Sequence, residues 1–202
     1  MKRPAATRAA GRRAATSSPR GRSSGAPAPK RRAPGTRAAG RPPGAGPDRL
    51  AFFSREWARA AREAVNAGPG PDARAKKIER FWEWIEKAKQ HVNCQLGLAV
   101  TGLPANGRRG ARDCLLLDLE AGRCVRARLV AREEAELSAT YILAGSYADW
   151  RDIMAGFDLG RAVMYRKLLL EKGEVLEFFK SIYYWTESLS SIQRIPTAMP
   201  AD

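Results

Sequence analysis

The first 47 residues contain no Leu, Ile, Val, Phe, Tyr or Trp. Such a segment cannot bury enough apolar surface to offset the entropy lost when a backbone becomes ordered. Ala, Pro, Gly, Ser and Arg dominate it, a composition typical of disorder. We therefore predict a disordered Arg/Ala/Pro-rich tail over residues 1–47 and one folded domain over residues 48–202, with its core at about residues 93–195.

The formal net charge of +15 belongs mostly to this tail. Residues 1–47 hold twelve of the 36 basic residues and none of the 21 acidic residues, so the remaining residues carry a charge of only +3. The predicted domain is thus close to charge balance, and its composition does not indicate a nucleic-acid surface. Its length is sufficient for one sizeable core.

Cysteine and histidine contents argue against several kinds of site. Cys94, Cys114 and Cys124 are odd in number, lack CxxC spacing and lie in strand-like apolar segments, which favours reduced core thiols in a cytoplasmic protein. The single histidine, His91, has no placed nucleophile beside it and does not indicate a hydrolytic triad. We predict no catalytic residue, no metal site and no cofactor. No apolar run reaches the roughly 18 residues of a transmembrane helix.

Two amphipathic helices are predicted before the core. Residues 50–65 place five side chains on one face, namely Phe53, Trp57, Ala60, Ala61 and Ala64. A second helix is expected from Asp72 to about His91, with apolar side chains at three- and four-residue spacing, namely Ile78, Phe81, Trp82 and Ile85.

The period then changes from helical to alternating. Residues 93–101, 113–119, 124–130 and 137–143 alternate as half-buried strands do. Glu133, Glu134 and Glu136 lie in a polar connection between the last two strands, which we interpret as a solvated acidic turn rather than an acid–base pair. Short connections between the four runs favour an antiparallel meander.

Helices are expected to follow the sheet. Ser146 and Asp149 form a capping-box-like pattern before a short helix that ends at Gly156, and Asp158 starts another helix. Residues 168–171 fit a strand or an extension of that second helix. The last helix is predicted from Glu174 to about residue 189.

The late segment resembles the signature half of the sterol carrier protein 2 family. That pattern has a polar lead into a strand, a helix that ends in Gly, a short helix, and a "gly-lys-leu, two residues, lys-gly-asp" strand that enters the last helix. The matching positions are Trp150, Gly156, Asp158, Ala162, Met164, Lys167, Leu168, Leu170, Lys172 and Gly173. Weaker likeness extends to Phe53–Trp57 and to Pro196–Thr197. Arg166 and Glu174 depart from the pattern, which has Gly and Asp at these two positions.

The resemblance implies an α+β fold with a largely antiparallel sheet of about five strands, residues 168–171 forming the fifth. It implies that helices cover this sheet and enclose an apolar tunnel that binds a sterol, fatty acid or fatty acyl chain without catalysis. Burial of apolar lipid is worth roughly 0.8 kcal/mol per methylene, so such a site needs an apolar cavity rather than a reactive group. Seven late side chains are candidates for the lining, with ordinary core packing as the alternative reading: Trp150, Met154, Phe157, Met164, Phe178, Phe179 and Ile182.

The basic tail suggests a rival function, that of a nucleic-acid-associated protein. Residues 19–23 resemble the "pro-arg-gly-arg" core of an AT-hook, whose arginines would be Arg20 and Arg22. A further basic cluster comprises Lys30, Arg31 and Arg32. The same charges would attract acidic membrane surfaces, which is compatible with lipid carriage.

Overall fold

The computed structural model describes residues 49–104 and 112–201. Within these residues the helices are α1 (Arg55–Ala67), α2 (Pro71–Ala75), α3 (Glu79–Lys89), α4 (Arg132–Ser138), α5 (Tyr147–Met154), α6 (Leu159–Met164), α7 (Val175–Lys180) and α8 (Ile182–Gln193). The strands are β1 (Leu50–Ala51), β2 (Cys94–Thr101), β3 (Cys114–Glu120), β4 (Arg123–Val130), β5 (Tyr141–Ser146), β6 (Leu169–Lys172) and β7 (Thr197–Ala198).

The first predicted helix begins later than expected. Leu50–Ala51 pairs in parallel with Thr197–Ala198, and Phe53 has a φ of 55°, so the chain turns before Ser54 caps α1. The Ser54 side chain accepts the Trp57 N–H at 3.0 Å. Burial of Phe53 and Trp57 ties this segment to the main core.

The second predicted helix is divided into α2 and α3. Between them the chain leaves helical geometry, and the Trp82 side chain of α3 donates to the Arg74 carbonyl at the end of α2, at 3.1 Å. Trp82 and Ile85 are buried as the spacing predicts, but Ile78 is exposed because it precedes the first turn of α3.

Five strands form the main sheet in the order β4-β3-β2-β5-β6. β5 pairs in parallel with β2, and the other neighbouring pairs are antiparallel. The predicted meander of four strands is therefore wrong, since β5 adds beside β2 instead of beside β4. A parallel neighbour needs a crossover connection, which α4 provides.

The acidic segment interpreted as a turn is the helix α4. Arg132 forms an ion pair with Glu136 at 3.1 Å, one helical turn later, and Ala135 is buried against the sheet. Leu137, which we expected to begin the fourth strand, lies in this helix and is 89% exposed.

The two faces of the sheet carry different side chains. Leu96, Leu98, Leu115, Leu117 and Leu143 point into the main core with the helices α1, α3, α5, α6, α7 and α8. A second, smaller cluster occupies the opposite face beneath α4 and consists of Ala99, Cys114, Leu116, Val130, Ala135, Ala139, Ile142 and Ala144.

The helices α5 and α6 begin at the N-cap residues that the sequence predicted. Ser146 accepts the Asp149 N–H at 3.1 Å and donates its hydroxyl to the Asp149 carboxylate at 2.5 Å. The Asp158 carboxylate accepts the Arg161 N–H at 2.8 Å at the start of α6. Strand β6 confirms the strand reading of residues 168–171. Arg166, which replaces a common Gly, nevertheless has a φ of 59°, a left-handed conformation that glycine adopts without strain.

The last predicted helix is two helices. Ser181, with φ −111° and ψ 24°, separates α7 from α8. Glu174 replaces the Asp of the family pattern and still caps α7, since its carboxylate accepts the Leu176 N–H at 3.1 Å.

Candidate functional site

A cavity lies between the end of α3, the beginnings of β2 and β5, and the junction of α7 with α8. Its volume is about 410 Å³, within the range of about 300–1,000 Å³ that small-molecule sites occupy. The less polar part of its lining consists of Ala88, Val92, Cys94, Tyr141 and Trp185. The polar part consists of His91, Asn93, Thr140, Glu177, Lys180 and Ser181.

Aromatic rings build the inner wall. Trp185 is buried and stacks on Phe178, with ring centroids 5.3 Å apart and planes inclined by 3°. Tyr141 meets the edge of both rings, at 5.4 Å from Phe178 and 6.2 Å from Trp185. The Trp185 indole N–H donates to the Phe178 carbonyl at 3.0 Å, so the polar atom of this ring is satisfied by protein. This part of the cavity wall therefore consists of aromatic rings that pack against one another.

Gly173 allows the chain to pass close to this wall. Its φ is 113°, and a Cβ at this position would collide with the Tyr141 ring and lie 2.9 Å from the Thr140 carbonyl oxygen. A side chain larger than that of glycine would push β6 and α7 away from Tyr141. The glycine thus positions α7 at the side of the cavity.

The polar part of the lining reaches solvent. His91, Thr140, Glu177 and Lys180 are exposed, and Lys180 forms an ion pair with Glu177 at 2.6 Å along α7. The side-chain oxygen of Asn93 accepts a hydrogen bond from the Ala121 N–H at 2.8 Å. The cavity therefore has an aromatic interior and a polar mouth, an arrangement that suits an amphipathic ligand.

Two titratable side chains at the cavity, Cys94 and Tyr141, have raised pKa values. Burial raises the pKa of the Cys94 thiol to about 11, so this thiol is protonated at neutral pH. Burial also raises the pKa of the Tyr141 phenol. In residues 49–104 and 112–201 there is no group of three metal-ligating side chains. The same residues contain no helix that is long and apolar enough to cross a membrane.

The seven side chains predicted to line a tunnel are spread over three environments. Trp150 and Phe178 are buried, and the Trp150 indole N–H donates to the Ala99 carbonyl at 2.9 Å. Met154, Phe157 and Ile182 are half-buried against the main core. Met164 is 78% exposed and Phe179 is 45% exposed. Phe178 alone among the seven stacks directly on a residue that lines the cavity.

Trp185 and Tyr141 were not among the predicted site residues. Trp185 follows Phe178 by seven positions, a spacing that places both on one helical face, and this signal was available in the sequence. Tyr141 had no comparable signal, because it meets these rings from another element. The basic residues Arg20, Arg22, Lys30, Arg31 and Arg32 lie outside the described residues, as does the whole predicted tail.

Comparison with known proteins shows the fold. A crystal structure of sterol carrier protein 2 matches with a TM-score of 0.54 and 23% identity, over 71% of this chain and 98% of that protein. A solution structure of a conserved hypothetical protein from Thermus thermophilus, suggested to be a sterol carrier protein, matches with a TM-score of 0.52 and 22% identity, over 74% of this chain and 92% of its own. No family model and no curated protein matches the sequence.

Proposed function

We propose that this chain, which has the fold of sterol carrier protein 2, binds and carries a lipid without catalysing a reaction. The observation that carries the proposal is the cavity of about 410 Å³ with an aromatic wall and a polar mouth. The lipid's apolar chain would lie against Tyr141 and Trp185, and its polar end would face Lys180 and Thr140. In the cytoplasm, where we propose that the carrier acts, Cys94, Cys114 and Cys124 would stay reduced.

Burial of the chain would supply the affinity. Ten methylenes removed from water contribute roughly 8 kcal/mol, equivalent to a Kd of about 1 μM before the entropic costs of association are subtracted. Protonated Cys94 and aromatic rings suit this role, since they offer contact area and no strong nucleophile. Sterols, fatty acids and fatty acyl chains all meet the requirement of a large apolar body.

The seven side chains predicted from the sequence remain a prediction. A chain longer than the cavity would reach past Trp185 toward Phe178. Met164 and Phe179 would contact it only if α6 and α7 closed over the ligand, because both side chains face solvent in the described conformation.

Displacement of a fluorescent fatty acid tests the proposal. Ser181→Trp places a large ring inside the cavity, and we expect it to weaken binding at least tenfold while the melting temperature changes little. Ser138→Trp is the matched control, because Ser138 is exposed on α4 over the opposite face of the sheet. Native mass spectrometry and lipid extraction of the purified protein would identify the natural ligand.

Two results would contradict the proposal. In one, the wild type takes up no fatty acid, acyl-CoA or sterol at micromolar concentration. In the other, a folded Ser181→Trp variant binds the fluorescent fatty acid as well as the Ser138→Trp control does.

A further inference from the structure

A second cavity, with a volume of about 610 Å³, opens to solvent at the starts of β2 and β4 and the end of β3. Cys94 and Thr140 line both this cavity and the one assigned to the lipid chain, so the two cavities are neighbours. We call the second one the polar cavity, because most of its lining is polar, namely Gln95, Asp118, Glu120, Arg126 and Thr140.

Four of these polar side chains form a row across neighbouring strands. Thr140 lies beside Gln95, since the Thr140 N–H donates to the Gln95 carbonyl at 2.8 Å. Gln95 is opposite Asp118 in the β2–β3 ladder, and Asp118 is opposite Arg126 in the β3–β4 ladder. With roughly 4.8 Å between strands, the row is about 14 Å long. It begins at Thr140, where the two cavities meet.

The row continues the alternation of strand residues that lie beneath α4. On β3 the same face carries Cys114 and Leu116 in the cluster beneath the helix and Asp118 in the polar cavity. On β2 it carries Ala99 in that cluster and Gln95 in the polar cavity. Both strands therefore change from apolar to polar at the same level of the sheet, beside the part that α4 covers.

The charged members of the row are free to bind a ligand. Within residues 49–104 and 112–201, the Asp118 carboxylate accepts no hydrogen bond, and its Oδ1 atom is shielded from solvent. The Arg126 guanidinium forms no ion pair with any residue in the same ranges. A shielded carboxylate oxygen without a donor costs free energy. Because the terminal torsion of aspartate is broad, either oxygen can turn toward a donor in the polar cavity.

The mixture of charges favours a neutral ligand group with several hydroxyls. An anion would be repelled by Asp118 and Glu120, and a cation would be repelled by Arg126, since all three line the same cavity. A hydroxyl both donates and accepts, so neighbouring hydroxyls can donate to Asp118 and accept from Arg126 without removing a ligand charge from water. The Gln95 amide also donates and accepts, which suits the same ligand group.

We propose that the polar cavity binds the polyhydroxylated, sugar-like head group of a lipid whose apolar chain lies in the neighbouring cavity. This inference rests on the proposed lipid-carrier function and adds the class of head group. The lipid passes Cys94 and Thr140, where the cavities meet, and its head group lies along Gln95, Asp118 and Arg126. The length of the row suits linked sugar rings.

Competition between single-chain amphiphiles tests the head group. Dodecyl maltoside, dodecylphosphocholine and dodecanoate have apolar chains of similar length, and their heads are a neutral disaccharide, a zwitterion and an anion. Each is added below its critical micelle concentration to the full-length chain with a bound fluorescent fatty acid. We expect dodecyl maltoside to displace the fatty acid at a concentration at least fivefold lower than either of the other two amphiphiles.

Single variants of the row locate the head group. We expect Asp118→Ala and Arg126→Ala each to raise the dodecyl maltoside concentration needed for displacement at least tenfold, and to change that of dodecanoate less than twofold. Asp118→Asn keeps an oxygen that accepts a hydrogen bond, so it should lose less than Asp118→Ala. The matched controls are Asp72→Ala and Arg55→Ala, at exposed positions outside both cavities, which should bind like the wild type. Melting temperatures establish that each variant is folded.

The carrier function and the head-group assignment fail through different results. If the wild type takes up no fluorescent fatty acid, the carrier function fails and this inference fails with it. If the fatty acid binds but dodecyl maltoside displaces it no better than dodecanoate does, the head-group assignment alone is wrong. It is also wrong if folded Asp118→Ala and Arg126→Ala variants bind dodecyl maltoside like the two controls. Preferential displacement by dodecylphosphocholine, lost in the same two variants, would replace the polyhydroxylated head group with a zwitterionic one.

Discussion

One face of the five-stranded sheet carries large aromatic and aliphatic side chains beneath six helices, whereas the opposite face carries mostly small side chains beneath α4. On the first face, Phe52, Phe53 and Trp57 pack with ring centroids 4.6–5.4 Å apart. On the second face, Ala99, Ala135, Ala139 and Ala144 are in contact beneath or within the helix that crosses the sheet. We refer to these as the large-residue face and the small-residue face.

The cavity lies on the large-residue face. On this face Tyr141 meets the stacked rings of Phe178 and Trp185 edge-on, and the cavity lies beside this group. Alanine side chains let α4 approach the strands closely, so the small-residue face is filled by backbone and methyl groups. We therefore expect the free energy of unfolding to fall when a large side chain is shortened on the large-residue face. On the small-residue face, we expect it to fall when a small side chain is enlarged.

Removal of a buried ring from the large-residue face should have the largest effect. Trp57 is fully buried, and its indole N–H donates to the Thr197 hydroxyl at 2.9 Å. We expect Trp57→Ala to lower the free energy of unfolding by about 3–5 kcal/mol, because it creates a cavity and leaves Thr197 without its donor. Urea denaturation measures this change. Trp84→Ala is the control, since Trp84 is half-exposed, and its effect should stay within about 0.5 kcal/mol. If both variants lost the same free energy of unfolding, burial would not explain the contribution of Trp57 to stability.

Enlargement of a side chain on the small-residue face should have the next largest effect. Ala144 is buried in the cluster beneath α4, so Ala144→Leu must displace the helix or the strand. We expect a loss of about 1–3 kcal/mol in the same urea measurement. Ala148→Leu, at an exposed position of α5, should change the stability by less than about 0.5 kcal/mol. If Ala144→Leu is neutral, the small-residue face has unused space, and the contrast between the faces is wrong.

The sequence predicted those parts of the fold that depend on nearby residues. Alternation located β2, β3 and β4, and side-chain caps located the starts of α5 and α6 at Ser146 and Asp158. The family resemblance predicted the fifth strand, which periodicity alone left open. Each of these features depends on neighbours within a few positions or on a recognisable pattern.

The sequence did not predict features that depend on distant partners. The crossover connection through α4 is one example, because no local pattern in residues 132–143 indicates that β5 pairs with β2 rather than with β4. The break at Ser181 is another, because its sequence context favours helix on both sides. The cavity depends on Tyr141 and Trp185, which lie in separate elements and meet only in the folded chain. None of the seven predicted lining side chains is part of this cavity's lining, so they stay a prediction, and the geometry of the cavity required the structure.

The smallest expected effect compares two thiols, one on each face. Cys94 is half-buried and lines the cavity, whereas Cys114 is fully buried on the small-residue face. Burial raises the pKa of Cys94 to about 11 and that of Cys114 to about 12, so both react slowly at neutral pH. We expect a small thiol reagent to modify Cys94 at least tenfold faster than Cys114, a ratio equivalent to about 1.4 kcal/mol.

Two further measurements of the thiol labelling rate test this comparison: its dependence on pH and its change when a fatty acid is bound. Below its pKa the thiolate fraction of Cys94 rises about tenfold per pH unit, so its labelling rate should increase steadily from pH 7 to pH 9. A bound fatty acid should slow labelling of Cys94 and leave Cys114 unchanged, because only Cys94 lies at the cavity. Mass spectrometry of the two peptides measures both rates, with Cys94→Ser confirming the assignment. If Cys114 reacts as fast as Cys94, the small-residue face opens as readily as the cavity. That result would place the weaker packing beneath α4, since labelling of a fully buried thiol requires local opening of the structure around it.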